Sequence, residues 1–355
     1  MKKLVLLGVL LLLVLATPVI LAQDATPEAT PQLTPKAGGT LQAGWDAEWV
    51  SLDPDLSSAY SSFAVLANVV EGLTTFDNDI KLQPDLATSW EQSADGLTWT
   101  FHLRQGVKFS NGREMTSADV LYSFQRIMDP KLGSGRVNSC GGSDAVFAAP
   151  DDSTFTITTS KPNGILPITV ATAAGCAIVA KESVGSDGQI VVPIGTGPFT
   201  IQDVQGTTSM KLVKNPNYWD APYPYLDEVD INVYSDDTSR TAALEGGQAD
   251  LILNPPTSAV DELKSNSDLV LSQVPLLGYN YMALNTKHTP LGDVRVRQAI
   301  AYAVDRDAIC QAGDFGLCAV VQGPTGPGSP WYMDYAPYTR DVDKAKSLLA
   351  AAGLP

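Results

Sequence analysis

The chain has 355 residues, 44% of them hydrophobic, with 39 acidic against 23 basic side chains and a net charge of −16. At ~100 to 200 residues per domain, this length accommodates two domains with buried cores. The charge has the wrong sign for holding phosphate backbones and no basic stripe with interleaved aromatics occurs, which argues against nucleic acid as a partner and for a soluble, self-repelling surface.

The N-terminus opens with Lys2-Lys3 and an apolar run from Leu4 to Leu15, then Ala22-Gln23 as a cleavage point. This is the pattern of an export signal over residues 1 to 22. Apolar character persists to Ala22, nearly the ~20 residues that span a bilayer, so retention as an N-terminal anchor stays open beside cleavage. Either way the protein is expected in the periplasm or at the cell surface. Residues 23 to 37, QDATPEATPQLTPKA, repeat Thr-Pro with almost no large apolar side chain. That is the composition of an extended tether, and folding is expected to begin near Gly38-Gly39.

Beyond it, strands and helices mix. LTWTFHL (97 to 103) has the β-rich, alternating pattern of a strand, and Val107 and Phe109 predict another, ended by Asn111-Gly112, the pair best able to take positive φ in a tight turn. Thr116 stands three residues before Asp119 as a capping box for a helix over 117 to 128, whose apolar face is Val120, Leu121, Phe124, Ile127 and Met128; Asp129-Pro130 stops it. Further strands are predicted at 153 to 159, 210 to 215, 229 to 234 and 269 to 274, with ADLIL (249 to 253) as a buried strand. Helices are predicted at 239 to 245, at 294 to 304 with Asp293 as N-cap, and at 342 to 352, stopped by Gly353. Without a strict repeating unit, this succession predicts an α/β protein with mixed sheets. The closing AAAGLP caps a helix and reads as the approach to another strand, so the chain looks C-terminally unfinished.

Cys140, Cys176, Cys310 and Cys318 form an even set in an exported chain, with no C-x-x-C pair, so disulfides are the default. Cys140 with Cys176 and Cys310 with Cys318 is the favoured pairing, because the second closes a short Gly-containing loop, QAGDFGL; four cysteines allow three pairings, and the sequence does not choose among them. With only His102 and His288, each read as a strand or loop residue, no metal site is predicted.

Reaction motifs are absent: no phosphate loop, no H-E-x-x-H, no G-x-S-x-G elbow and no S-x-x-K. The acidic neighbours Asp236-Asp237 and Asp227/Glu228 flank strand ends or a helix cap, where adjacent side chains point apart and a carboxylate mechanism is poorly served. Gly195-Thr196-Gly197 lacks the third glycine and following helix of a dinucleotide site and reads as a turn that also lets backbone approach closely.

Read in order, GGTLQAGWDAEWVSLDP (38 to 54), EGLTTFD (71 to 77), LQPDLATSWEQSADGLTWTFHLRQGVKFSNG (82 to 112), PIGTGPFT (193 to 200), VKNPNYWD (213 to 220), YLDEVDINVY (225 to 234), LEGGQADL (244 to 251), YNYMALNTK (279 to 287) and DVRVRQAIAYAVDRDAI (293 to 309) resemble the extracellular solute-binding proteins of ABC importers, family 5, the class that carries peptides and nickel. The resemblance implies a two-lobed clamp of α/β, periplasmic-binding-protein-like fold, closing on solute about a hinge. It implies no enzymatic chemistry and no cofactor, a membrane ABC permease as partner, and a monomer. It divides the chain into lobe I (38 to 278, with a subdomain over about 76 to 195) and the start of lobe II (279 to 355), the second lobe incomplete. It places Trp45, Asp46 and Trp49 on the cleft side of lobe I, and Tyr279 and Asn280 at the crossover between lobes. Tyr218-Trp219 reads as a packing corner. The solute so implied is a peptide or similar small molecule, with oligosaccharide or a nickel chelate as variants and an exported hydrolase as the alternative class.

Overall fold

The computed structural model describes residues 34–171, 175–273, 280–323, 325–327, 329 and 332–354. The chain divides into a unit Met1–Lys36, of which only residues 34–36 are described, and a unit Ala37–Pro355. The export signal and nearly all of the Thr-Pro tether therefore lie outside the described residues. No helix among the described residues is long and apolar enough to cross a membrane.

In the second unit the first elements are β1 (Thr40–Trp45), α1 (Tyr60–Leu66), β2 (Thr74–Phe76), β3 (Leu82–Pro84), β4 (Ala87–Gln92), β5 (Thr98–Leu103) and α2 (Ser117–Met128). Then come β6 (Val146–Asp151), β7 (Thr154–Thr158), α3 (Leu166–Thr169), β8 (Phe199–Gln205), β9 (Ser209–Lys214) and β10 (Glu228–Val233). The remainder are α4 (Asp237–Glu245), β11 (Leu251–Ile252), α5 (Val260–Ser265), α6 (Val294–Ala303), α7 (Arg306–Asp314) and α8 (Val342–Ala351).

The main sheet has the order β11-β1-β10-β9-β8. β1 runs parallel to both β10 and β11, whereas β10, β9 and β8 are antiparallel. Alternation decides its faces: Ala43, Ile231 and Met210 stand opposite one another in register, as do Val229 and Leu212, and all lie in one buried cluster with Val65, Leu66, Val69 and Val70 from and just beyond α1. The other face is polar. There Lys211 stands opposite Asp230 and bonds it at 3.1 Å, with Glu228 at 2.5 Å and Gln42 donating to Asp230 at 3.0 Å.

Between β1 and β8 the chain builds an antiparallel sheet, β4-β5-β7-β6, and a β2-β3 hairpin. Phe101 faces Phe155 across β5 and β7, and α2 lays Val120, Phe124 and Ile127 onto that surface, all fully buried. Phe124 and Phe155 pack tilted, with ring centroids 4.9 Å apart. The Cys140–Cys176 disulfide lies inside this core, with a Cα separation of 5.9 Å; the second disulfide joins Cys310 of α7 to Cys318, as favoured from the sequence.

Most predicted elements form with shifts of a residue or two, and the capping box is present, Asp119 accepting from the Thr116 N–H at 3.0 Å. Three expectations are corrected. Val107 and Phe109 are fully buried, but no strand forms there, only a Lys108–Glu114 bridge closed by Phe109 N–H donating to Arg113 O at 2.9 Å. Gly112 takes φ +87°, whereas Asn111 uses its side chain to accept from Arg113 N–H at 3.0 Å. ADLIL contributes a two-residue edge strand rather than a buried one, Leu251 being exposed. Residues 269–273 form no strand, and Val270 is 97% exposed. Among the described residues no strand edge pairs with this alternation, and an unpaired strand is not stable in water.

Gly195 and Gly197 do not make a positive-φ turn. A Cβ on Gly195 would come within 2.0 Å of Val69 O, so glycine serves where two backbones touch. Toward the C-terminus, Asp293, Asp305 and Asp341 cap α6, α7 and α8 by accepting from Arg295, Ala308 and Lys344 N–H groups. Helix α7 had no counterpart in the sequence reading. α6 and α8 pack together, with Lys344 Nζ donating to Tyr302 Oη at 2.8 Å.

Each disulfide removes freedom from the unfolded chain in proportion to the logarithm of its loop. With sequence separations of 36 and 8, paired Cys140→Ala/Cys176→Ala is expected to cost about 4 kcal/mol and Cys310→Ala/Cys318→Ala about 2–3 kcal/mol, read from denaturant unfolding midpoints. An equal cost for both pairs would contradict this ordering.

Candidate functional site

The three parallel strands end together. Trp45 of β1 is in register with Val233 of β10, and Gly44 with Ile252 of β11, so the chain leaves all three strands at one edge of the main sheet. Small molecules bind sheets of this kind outside the carboxyl ends of the strands. The ladder is carried right up to the edge, Tyr234 N–H donating to Trp45 O at 2.8 Å and Leu253 N–H to Gly44 O at 2.9 Å.

Just beyond lie Asp46, Tyr234 and Asn254. Asn254 Nδ2 donates to Asp46 Oδ2 at 3.0 Å, tying the exit of β11 to that of β1. Asn254 sits at φ +48°, a conformation its short polar side chain tolerates. From α4, which begins directly after β10, buried Arg240 donates to Tyr234 O at 2.9 Å, to Asn254 O at 2.8 Å and to Asp237 at 2.6 Å. One guanidinium thereby fixes the exits of two strands. Asp236 is committed as the α4 N-cap, accepting from Ser239 N–H at 2.8 Å, Asp227 accepts from Gly39 N–H at 3.2 Å, and Glu228 pairs with Lys211. None of the adjacent acids is arranged as an acid–base pair.

Among the residues singled out from the sequence, Asp46 lies half-buried at this rim. Trp45 is 7% exposed and Trp49 3% exposed, and both pack into the core beneath it. The Trp45 indole N–H is buried without a hydrogen-bond partner among the described residues. Asn280 is exposed and outside any helix or strand, and Tyr279 lies outside the described residues. Asn254 and Arg240 escaped the sequence reading; an asparagine between a strand and Pro255-Pro256 was the available signal for the first.

The loop that leaves β1 is pinned from the other sheet. Arg126 of α2 grips Asp53 with both nitrogens, at 2.9 and 2.5 Å, also bonds Asp55, and donates to Gly188 O at 3.0 Å. All three charged groups are buried. Arg136 adds a bond to Ser57 O at 2.6 Å, and Ser62 Oγ accepts from Val50 N–H at 3.0 Å. Burial pushes the Asp55 carboxyl up to about 6, against the opposing pull of Arg126.

The mixed sheet thus presents a polar rim at its parallel strand ends, beside a loop held by buried charge. Comparison with known proteins places the chain. Residues 81–355 match the family described as bacterial extracellular solute-binding proteins, family 5. The chain belongs to that family. It is 35% identical over 302 residues to heme-binding protein A of Haemophilus influenzae, covering 77% of this chain and 54% of that protein. It is 31% identical over 309 residues to the glutathione-binding protein GsiB of Pectobacterium atrosepticum, covering 86% and 60%. Among solved structures it superposes on the periplasmic binding protein DppA of Helicobacter pylori, in complex with the peptide STSA, with a TM-score of 0.82 and 29% identity over 90% of this chain and 67% of that one. The fold is therefore that of the two-lobed periplasmic binding proteins. The chain spans 54% and 60% of the length of the two curated relatives.

Removing one partner of a buried charge cluster leaves the others uncompensated. Arg126→Met is expected to lower stability by about 3–5 kcal/mol. Asp46→Ala, which loses one half-exposed hydrogen bond, is expected to cost under about 1.5 kcal/mol. Urea unfolding of both variants reads the contrast. Because the fold raises the Asp55 pKa from its ordinary 3.8 to about 6, the native state holds a proton that the unfolded chain releases between those values. This contribution to stability is present below about pH 4 and lost as pH rises through 6. A pH series of urea midpoints is expected to show that slope, and Asp55→Asn to flatten it.

Proposed function

We propose that this protein is the exported, solute-capturing component of an ABC importer, taking up a short peptide or similar small solute and presenting it to a membrane permease without altering it. The observation that carries the reading is the strand-end rim: Asp46 Oδ2 joined to Asn254 Nδ2 at 3.0 Å, over the parallel trio β1, β10 and β11. A carboxylate acceptor and a carboxamide side by side match the donors and acceptors that a peptide backbone displays. Family membership and the peptide held by the H. pylori relative support this class of solute.

Trp45 and Trp49 are buried, so they offer little aromatic face for stacking on sugar rings; this favours peptide over oligosaccharide. The division into lobe I over 38 to 278 and lobe II from 279 belongs to the same proposal, with Tyr279 and Asn280 at the crossover and solute binding favouring the closed arrangement of a monomer. The uncleaved or cleaved signal and the Thr-Pro segment would set whether the receptor is tethered to the membrane or released.

The test is a thermal-shift screen of the protein purified from its native source against pools of di- to pentapeptides, followed by mass spectrometry of the recovered ligand. A saturable rise in melting temperature is expected, about 2.7 kcal/mol of stabilisation at a hundredfold excess over Kd, with the peptide recovered intact. Asp46→Ala is expected to weaken binding about tenfold or more, the worth of a hydrogen bond to a charged group. A cleaved peptide would favour the hydrolase alternative. No stabilisation by any pool would remove peptides as the solute.

A further inference from the structure

Asn254 stands in the left-handed region, at φ +48°, directly before Pro255. Such a residue is disfavoured twice, because its own Cβ crowds the backbone and the proline that follows pulls it toward extended geometry. Conformations of this kind persist where the surroundings hold them, and they collect at ligand clamps. What holds Asn254 is Arg240.

Arg240 is 3% exposed, yet two of its nitrogens bond backbone rather than charge. Nη1 donates to Tyr234 O at 2.9 Å and Nη2 to Asn254 O at 2.8 Å, whereas the carboxylate it meets, Asp237 at 2.6 Å, has a side chain 63% exposed to water. Its Nε is buried without a hydrogen-bond partner among the described residues. Burying a cation and leaving one of its donors over is unfavourable for the fold, so a purely structural clamp would be better made by a neutral or apolar side chain. What a guanidinium adds is a planar fork that grips two carbonyl oxygens at once with fixed geometry, which a lysine ammonium does not reproduce.

The gripped residue carries half of the rim. Asn254 Nδ2 donates to Asp46 Oδ2 at 3.0 Å, and the direction of that carboxamide follows from the backbone that Arg240 holds. We propose that Arg240 is the positioning residue of solute capture: by keeping Asn254 in its disfavoured conformation, it aims the carboxamide at Asp46 and so fixes the donor and acceptor that the rim offers. The proposal rests on the rim being the solute site. Without the clamp, Asn254 relaxes toward the extended backbone that Pro255 favours, its carboxamide leaves Asp46, and the pair is no longer preorganised.

The test is a double-mutant cycle with two readouts. In the first, without solute, the Nδ2 proton resonances of Asn254 are followed in isotope-labelled protein, assigned by their absence in Asn254→Gly, a variant that takes positive φ freely. Asp46→Ala is expected to move these resonances in the wild-type background and to leave them in place in Arg240→Lys. In the second, affinity for the tightest-binding peptide pool of the thermal-shift screen is read by calorimetric titration well below the melting temperature. Arg240→Lys is expected to weaken it about tenfold, as Asp46→Ala does, and the double variant no further, since both changes break the same pair. Should Arg240→Lys not fold, Arg240→Gln, which buries no charge, makes the same comparison. An arginine that is merely structural would lower the melting temperature and leave the affinity of the folded protein unchanged. That result, additive losses of affinity, or Asn254 resonances that respond to Asp46→Ala equally in both backgrounds would overturn the proposal. If no pool binds, the peptide reading falls by itself, and the solute-free cycle still decides whether Arg240 positions the pair.

Discussion

Arg126 reaches from α2, in the layer built on the second sheet, to Asp53 and Asp55 in the loop that leaves β1 of the first. Two apolar clusters, one under each sheet, cannot by themselves fix how the sheets stand, because burial of apolar surface is not directional. A bidentate guanidinium–carboxylate contact is directional. It is also unforgiving: with all three groups buried, any displacement that parts them exposes unpaired charge, at a cost of several kcal/mol. The loop carrying Asp46 and Trp49 is thus set by a residue some 70 positions further along the chain.

The same join is made again by quite different physics. At Gly195 and Gly197 the chain passes against Val69 so closely that no side chain fits, and Gly197 N–H donates to Val69 O at 3.1 Å. At the 215–220 corner the Trp219 indole and the Tyr218 phenol donate to the buried Glu71 carboxyl, and the Arg104 guanidinium stacks over the Trp219 ring. Charge pairing, backbone contact and hydrogen bonds to a buried carboxyl are three fastenings between the sheets. They leave the strand-end rim on a rigid platform, the condition that preorganised binding requires.

Local signals in the sequence carried far where physics is local. The stretch from Val107 to Val120 shows both outcomes. Its capping box, its helix and its Gly112 turn form as the residue types dictate, since each is satisfied within a few positions. Its strand does not, because pairing needs an edge supplied from elsewhere, and Val107 and Phe109 bury themselves without one. The apolar alternation at 269–273 failed for the same reason. Trp45 and Trp49 were legible as important aromatics, but whether an indole lines a cleft or fills a core depends on what packs over it, and here α1 and the main sheet do.

The sequence by itself determined the class of protein, because a succession of short motifs in fixed order specifies a family even where each motif alone is weak, and it determined the helices whose caps and periodicity are local. Only the tertiary structure decided the site. That Asp46 meets Asn254 across 208 positions, that Arg240 binds two strand exits, and that Trp219 reaches Glu71 across 148 positions all depend on the register of parallel and antiparallel strands. Register is set by the closing of the whole sheet, and no window of sequence contains it.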